Sequence, residues 1–199
     1  VVGVFSYTLS NIIFPELSKL SANERKDDFG KIIKKAVTIS MFFIIPMSVG
    51  MGMLGKEIIQ IIYERGEFTA ESTILTSSAL LFYSIGMIGY GLMEILNKAF
   101  YALQDSKTPM IVSGVAILLN VTLSIILVNA MGYLGLPLAA SITSIVTAVI
   151  MLWRINFKTE KIVDIDMLKE LLKCVISAVI MGILLYRILL ILHSLTVFD

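Results

Sequence analysis

The sequence predicts an all-α integral membrane protein, a polytopic bundle of about six transmembrane helices. Of its 199 residues, 57% are hydrophobic and 16% are charged, whereas about a quarter of the residues in soluble domains are charged. Long stretches carry no formal charge, and the period-2 alternation of a membrane barrel is absent from the sequence. This composition excludes a cytosolic enzyme. The net charge of +1 lacks the positive excess expected of a nucleic-acid-binding protein.

Three charge-free stretches define the spans, because a helix needs about 20 apolar residues to cross a hydrocarbon core of roughly 30 Å. The third stretch, residues 108–153, is twice that length. Gly132, Gly135 and Pro137 near its middle predict a tight turn between two helices. An apolar first segment and an apolar last segment, which carries Lys173 and Arg187, complete the set. The predicted spans are residues 1–20 (partial), 36–55, 72–100, 109–130, 136–155 and 168–194.

The first segment is apolar but shorter than a full crossing. It has no start methionine, basic region or cleavage site, so we expect the end of a longer helix and a chain that is part of a longer protein. Further along, Thr108 before Pro109 predicts an N-cap followed by a proline at the first helical position.

The basic residues predict the orientation of the bundle. If the spans alternate, 13 of the 16 basic residues lie at one face, so the positive-inside rule places loops 21–35, 98–108 and 156–167 in the cytoplasm. The segment 21–35 is either a helix that runs along the cytoplasmic surface into the second span or a solvated connector. At the opposite face, residues 56–69 predict a short interfacial helix that ends at Arg65 and Gly66.

Few residues are suited to catalysis or metal binding. The chain has one cysteine, Cys174, and one histidine, His193, so a disulfide, zinc or haem site is not expected, and His193 is interpreted as an interfacial anchor or a packed side chain. A phosphate-binding Gly-rich loop with Lys and a nucleophile elbow are also missing from the sequence. We predict no enzymatic reaction and no cofactor, with a coupling cation or the membrane potential as the energy source.

Polar residues in or near the spans are the candidates for binding. Glu94 and Lys98 are four residues apart, in the order that favours an ion pair on a helix, or they could form a gate or contact a substrate. Asn120 and Ser124, also four apart, could offer oxygens to a coupling cation, although no carboxylate is beside them in the sequence. Arg65 in the outer loop could bind a headgroup phosphate or anchor the loop at the interface.

Three segments carry recognisable motifs: IIYERGEFTAEST, KAFYALQDSKTPM and GVFSYTLSNIIFPELSKL. In that order they resemble the RGxFT loop, a motif on the cytoplasmic side and the eighth helix of the MurJ/MviN family of lipid II flippases. The order and spacing of the three segments also agree with the family. The matching residues of the first two segments are Arg65, Gly66, Phe68, Phe100, Tyr101, Asp105, Thr108 and Pro109.

The resemblance implies the MATE-like fold of the multidrug/oligosaccharidyl-lipid/polysaccharide (MOP) exporter superfamily. Residues 1–155 would form most of the C-terminal six-helix lobe, and residues 156–199 a cytoplasmic linker and the first helix of an additional C-terminal pair. The implied function is to flip lipid II from the inner to the outer leaflet of the bacterial inner membrane by alternating access, with lipid II and membrane lipids as partners. The substrate or gating candidates are Arg65, Gly66, Phe68, Glu94, Asn97, Lys98, Asp105, Thr108 and Pro109.

Other functions stay open at this level. A related exporter of drugs or of another polyprenyl-linked glycan would share the architecture. A membrane enzyme acting on polyprenyl phosphates would need clustered acidic residues, for which Asp164 and Asp166 are the candidate pair. Those two aspartates are also well placed at the N-terminus of the last helix, where negative charge is favourable. A structural scaffold is the remaining class.

Overall fold

The structure is a computed structural model that describes residues 2–159, 162 and 164–196, with side chains up to residue 191. This part of the chain is helical, as predicted, and contains no strand. His193 lies beyond the described side chains. The helices are α1 (Val2–Ala22), α2 (Lys26–Met53), α3 (Gly55–Tyr63), α4 (Ala70–Ala102), α5 (Lys107–Met131), α6 (Gly135–Lys158) and α7 (Ile165–Thr196).

Four helical segments are long and apolar enough to cross a membrane: 26–53, 70–102, 107–158 and 165–191. Segment 107–158 has 52 residues and contains both α5 and α6, so it is long enough for two crossings. α1 is not one of the four; its 21 residues include Glu16 and Lys19. The chain is a multi-pass membrane protein whose helices are compatible with the predicted spans.

The turn between α5 and α6 depends on two glycines. Gly132 has a φ of +65°, a conformation that side chains with a Cβ rarely adopt. Gly135 lies so close to α5 that a Cβ there would be 2.4 Å from the carbonyl carbon of Leu127. The break predicted at these glycines is confirmed.

The helices extend further than predicted at the end assigned to the cytoplasm. α1 reaches Ala22 and α2 begins at Lys26, so residues 26–35 belong to a helix that continues into the second span, as one of the two interpretations expected, and a connector is left only at residues 23–25. The reason is that Phe29, Ile33 and Val37 recur every four residues on one face of α2, and each is at most 1% exposed. The predicted loops 98–108 and 156–167 are also shorter in the structure, because the helices on both sides extend into them.

α4 is at the centre of the bundle, where it packs against α1, α2, α3 and α6. α5 packs mainly on α6, and α7 packs on α2. The centre is apolar near the end of α4 assigned to the cytoplasm. Its completely buried side chains there are Ile95, Leu96, Ala99 and Phe100.

Serine hydroxyls join α6 to α4. The Ser141 hydroxyl donates to the carbonyl of Phe82 at 2.6 Å, and the Ser144 hydroxyl donates to the carbonyl of Gly86 at 3.0 Å. Membrane helices associate through such bonds and through small residues that let backbones approach. The contact between α4 and α6 is therefore close and directional.

Candidate functional site

One face of α4 carries most of the polar candidates. Glu94, Asn97 and Lys98 are all half-buried, and their spacing of three and four residues puts them on a single face of the helix. Tyr90 and Tyr101 extend the same face, and about half of each tyrosine is exposed. Polar side chains on a membrane helix usually face a water-filled cavity or a partner. This polar face of α4 is the first part of the candidate site.

The predicted ion pair between Glu94 and Lys98 is not formed. The Lys98 ammonium instead lies 5.4 Å from the centroid of the Phe14 ring on α1, within the range of a cation–π interaction. A pair four residues apart on one helix contributes only about 0.3–0.5 kcal/mol. The flexible lysine therefore reaches the aromatic face that α1 provides.

The turn between α4 and α5 is organised by Asp105. One Asp105 carboxylate oxygen accepts the backbone N–H of Thr108 at 3.0 Å, and the other accepts the Thr108 hydroxyl at 2.6 Å. The predicted N-cap at Thr108 is wrong, because α5 begins at Lys107 and Asp105 accepts the free N–H of its first turn. Pro109 is the third residue of α5 and not, as predicted, the first; it is buried in the first turn, where a missing N–H leaves no helical hydrogen bond unmade.

Asp105 also forms an ion pair with Lys158 at the end of α6. Burial of Asp105 raises its pKa, but the hydrogen bonds from Lys158 and Thr108 outweigh burial and lower the pKa to about 2. Asp105 is therefore ionised at neutral pH. Its side chain ties the α4–α5 turn to α6.

Asn120 lines a cavity of about 330 Å³ between α4, α5 and α6. The Thr143 hydroxyl in the same lining is buried without a hydrogen-bond partner, and Thr147 donates to the carbonyl of residue 143 at 2.7 Å. Ser124 is one turn from Asn120 and outside this lining. The lining offers only neutral oxygens, and the described residues contain no cluster of three or more His, Cys, Asp or Glu side chains.

The loop after α3 is an ordered turn. α3 ends at Tyr63, two residues before the predicted end, and the Arg65 guanidinium donates to the carbonyl of Ile62 at 2.7 Å. Gly66 has a φ of +60°, which explains the glycine. The Phe68 ring lies 6.0 Å from the Tyr63 ring. Arg65 itself is exposed.

Two ion pairs formed by lysines were not predicted from the sequence. Lys158 pairs with Asp105, and Lys34 of α2 pairs with Asp164 at 2.5 Å. No local pattern predicts these pairs, since the partners are 53 and 130 residues apart. The pairing also accounts for Asp164, one of the two candidates for an enzyme site, while the other candidate, Asp166, lies 3.3 Å from Lys169.

Comparisons with known proteins agree with this geometry. The sequence model of the family described as "Lipid II flippase MurJ" matches residues 1–198. The chain belongs to the lipid II flippase MurJ family. The protein named lipid II flippase MurJ from Thermosipho africanus is 33% identical over 184 residues, which are 92% of this chain and 36% of that protein.

Other members and a solved structure extend the likeness to the family. A probable lipid II flippase MurJ from Rhizobium meliloti is 25% identical over 93% of this chain and 35% of its own length. The solved structure of a lipid II flippase MurJ in an inward closed conformation superposes with a TM-score of 0.79 and 31% identity, covering 94% of this chain and 38% of that one. The chain thus spans little more than a third of these relatives, and the predicted family and fold are confirmed.

Proposed function

We propose that the complete protein carries lipid II from the inner to the outer leaflet of the bacterial inner membrane by alternating access. Family membership and the likeness to an inward closed MurJ structure support this proposal. Residues 1–155 would contribute part of one lobe, and residues 156–199 a linker and an additional helix. A transfer of this kind changes no covalent bond of the lipid, so the protein would be a carrier and not an enzyme.

The polar face of α4 is the observation that carries the proposal. A lipid-linked diphosphate crosses a region in which charge is costly, so a carrier needs polar groups along its path. Glu94, Asn97 and Lys98 supply such groups on the side of α4 opposite to its buried residues. Lys98 would bind phosphate oxygens. Asn97 and Glu94 would hydrogen-bond to the sugar or peptide of the headgroup.

The two ends of the lobe would have gating or anchoring roles. Asp105, with Thr108 and Pro109, holds the α4–α5 turn against α6, so this end would move as one unit when the carrier closes. At the other end, Gly66 and Phe68 shape the loop that presents Arg65. Its exposed guanidinium would contact lipid headgroups at the membrane surface.

Asn120 and Ser124 remain the proposed contacts for a coupling cation. The cavity that Asn120 lines fits such an ion only in part, because all of its oxygen donors are neutral. Cations are bound more tightly where carboxylates contribute. This chain by itself would therefore bind the cation weakly.

Replacement of the host protein tests the function. A bacterium depleted of its own flippase and supplied with the complete protein should regain growth and lipid II exposure on the outer leaflet. Lys98→Ala should lower the rate of exposure at least about tenfold, as expected when one charged hydrogen bond is lost. Lys98→Arg should keep most of the rate.

Lys107→Ala is the matched control, because it removes the same charge from an exposed position at the start of α5. Its rate should equal that of the unmodified protein. A normal rate for Lys98→Ala at equal expression would remove the α4 face from the proposal. If the unmodified protein is well expressed but lipid II stays in the inner leaflet, a different exported lipid is indicated.

A further inference from the structure

α7 is held in the described bundle by a single helix. Among the helices it packs only against α2, and most of its apolar side chains are exposed. The side chains that are less exposed recur every three or four residues, which is the spacing of a narrow helix–helix seam. These residues are Met167, Leu171, Cys174, Ala178, Met181, Gly182, Leu185 and Leu189.

Two contacts define how α7 lies along this seam. Near one end, Lys34 of α2 pairs with Asp164, the residue before α7. Further along, a Cβ at Gly182 would be 3.1 Å from a methyl carbon of Val49 on α2. The two α2 residues are about 22 Å apart at 1.5 Å per residue. Both helices run from the first contact towards the second, so they are parallel.

The two contacts also agree in register. On α2, a fixed number of residues separates Lys34 from Val49. Counting back by the same number from Gly182 on α7 leads to Met167. The Met167 backbone N–H donates to one Asp164 carboxylate oxygen at 2.8 Å, and the other oxygen of Asp164 pairs with Lys34. A single carboxylate thus accepts one free N–H of the first turn of α7 and attaches that turn to α2.

The surroundings restrain Asp164. Met167 is 1% exposed, and Ile162, two residues before Asp164, is completely buried. The Ile162 N–H donates to the side-chain oxygen of Asn156 at 2.8 Å. The hydrogen bond from Lys34, followed by that from the Met167 N–H, lowers the pKa of Asp164. The carboxylate is therefore charged and held in place where α7 begins.

We infer that Asp164 is a positioning residue that sets the register of α7 on α2, with Lys34 as its partner. The narrow seam is rich in small or flexible side chains and resists sliding weakly, so the polar contact at its start decides which turn of α7 faces Val49. The cavity of about 430 Å³ between α2 and α7, which Phe42 and Lys173 help to line, takes its shape from that register. The inference does not depend on what the protein transports.

Cysteine crosslinking in membranes measures the register directly. In the complete protein with Cys174→Ala, Val49→Cys is combined with Gly182→Cys for the register described above, or with Ala178→Cys for a shift of one turn. The close contact between Gly182 and Val49 is within the reach of a disulfide. The readout is the ratio of the initial crosslinking rates of the shifted and unshifted pairs under a mild oxidant.

The variants separate the two roles of the carboxylate. Lys34→Ala and Asp164→Asn each remove the ion pair but leave an oxygen that can accept the Met167 N–H, so each should raise the ratio about two- to fivefold, as for a partly exposed pair. Their combination should have no larger effect than either one. Asp164→Ala also removes the cap and should raise the ratio roughly fivefold further.

Lys169→Ala is the matched control, since Lys169 pairs with Asp166 at 3.3 Å on α7 itself. This variant should leave the ratio unchanged. The inference is overturned if Lys34→Ala and Asp164→Asn keep the ratio of the unmodified protein, or if Lys169→Ala raises it equally. Crosslinking needs no substrate, so its result is distinct from a failure of lipid II transport.

Discussion

Gly89→Ala tests how closely α4 and α6 pack. A Cβ at Gly89 would lie 2.4 Å from the carbonyl carbon of Ser144 and 2.6 Å from the backbone nitrogen of Ile145. These are backbone atoms, so no rotation of a side chain can relieve the overlap. The helices have to separate by about 1 Å before the contact becomes an ordinary van der Waals distance.

The separation has a calculable cost. Overpacking of this kind costs about 1–3 kcal/mol. The hydrogen bonds from Ser141 and Ser144 to α4 would both lengthen, at about 0.6 kcal/mol each in a membrane protein. The higher helix propensity of alanine offsets up to about 1 kcal/mol of this loss of stability. We expect a net loss of roughly 2–3 kcal/mol in the free energy of unfolding.

Unfolding of the complete protein in mixed detergent and SDS micelles, followed by circular dichroism, measures this loss. Gly114→Ala in α5 is the matched control, because a Cβ there would have nothing within 4 Å. That variant should be as stable as the unmodified protein or slightly more stable. If Gly89→Ala and Gly114→Ala unfold at the same SDS fraction, the backbones of α4 and α6 do not approach closely enough to exclude a Cβ.

Two further predictions concern the ends of the bundle. The pKa of Asp105 is lowered to about 2 from 3.8, so the stabilisation from its ionised form is complete above about pH 4 and is lost as the pH falls towards 2. Asp105→Asn should abolish that part of the pH dependence in thermal unfolding curves, and an unchanged curve would contradict the pairing with Lys158. Gly66→Ala should cost about 1–2 kcal/mol, because φ is +60° there and alanine is strained in that region. Gly66→Asn should lower the stability less than Gly66→Ala. Gly50→Ala should not lower the stability, because Gly50 has open space around it. Equal melting temperatures for the two alanine variants would refute the turn geometry.

Local properties explain why much of the fold could be predicted. Charge-free length depends only on neighbouring residues, and it located the helices around residues 36–55 and 72–100, while apolar composition located the one at 168–194 despite Lys173 and Arg187. Gly132 and Gly135 marked the hairpin because the backbone conformation and the close approach there exclude a Cβ. The short helix before Arg65 was likewise predicted from its apolar residues. It ends at Tyr63, two residues before the predicted end.

The candidate site was predicted less completely. Spacing by four residues correctly put Glu94 and Lys98 on one face, but the lysine contacts Phe14 on another helix. The Thr108 cap was wrong because α5 begins one residue earlier, at Lys107, and the Asp105 carboxylate accepts the N–H of Thr108 in its first turn. Propensity rules rank residues singly and do not include which acceptor the folded turn places beside an N–H.

The sequence by itself determined that this is a helical membrane protein, where most of its helices lie, and which family it resembles. Those features follow from hydropathy and backbone conformation, which act over short distances along the chain. Only the tertiary structure decided that Lys158 pairs with Asp105 and Lys34 with Asp164, across 53 and 130 residues. The partner of a long charged side chain depends on which helices become neighbours, and that is settled by packing over the whole bundle.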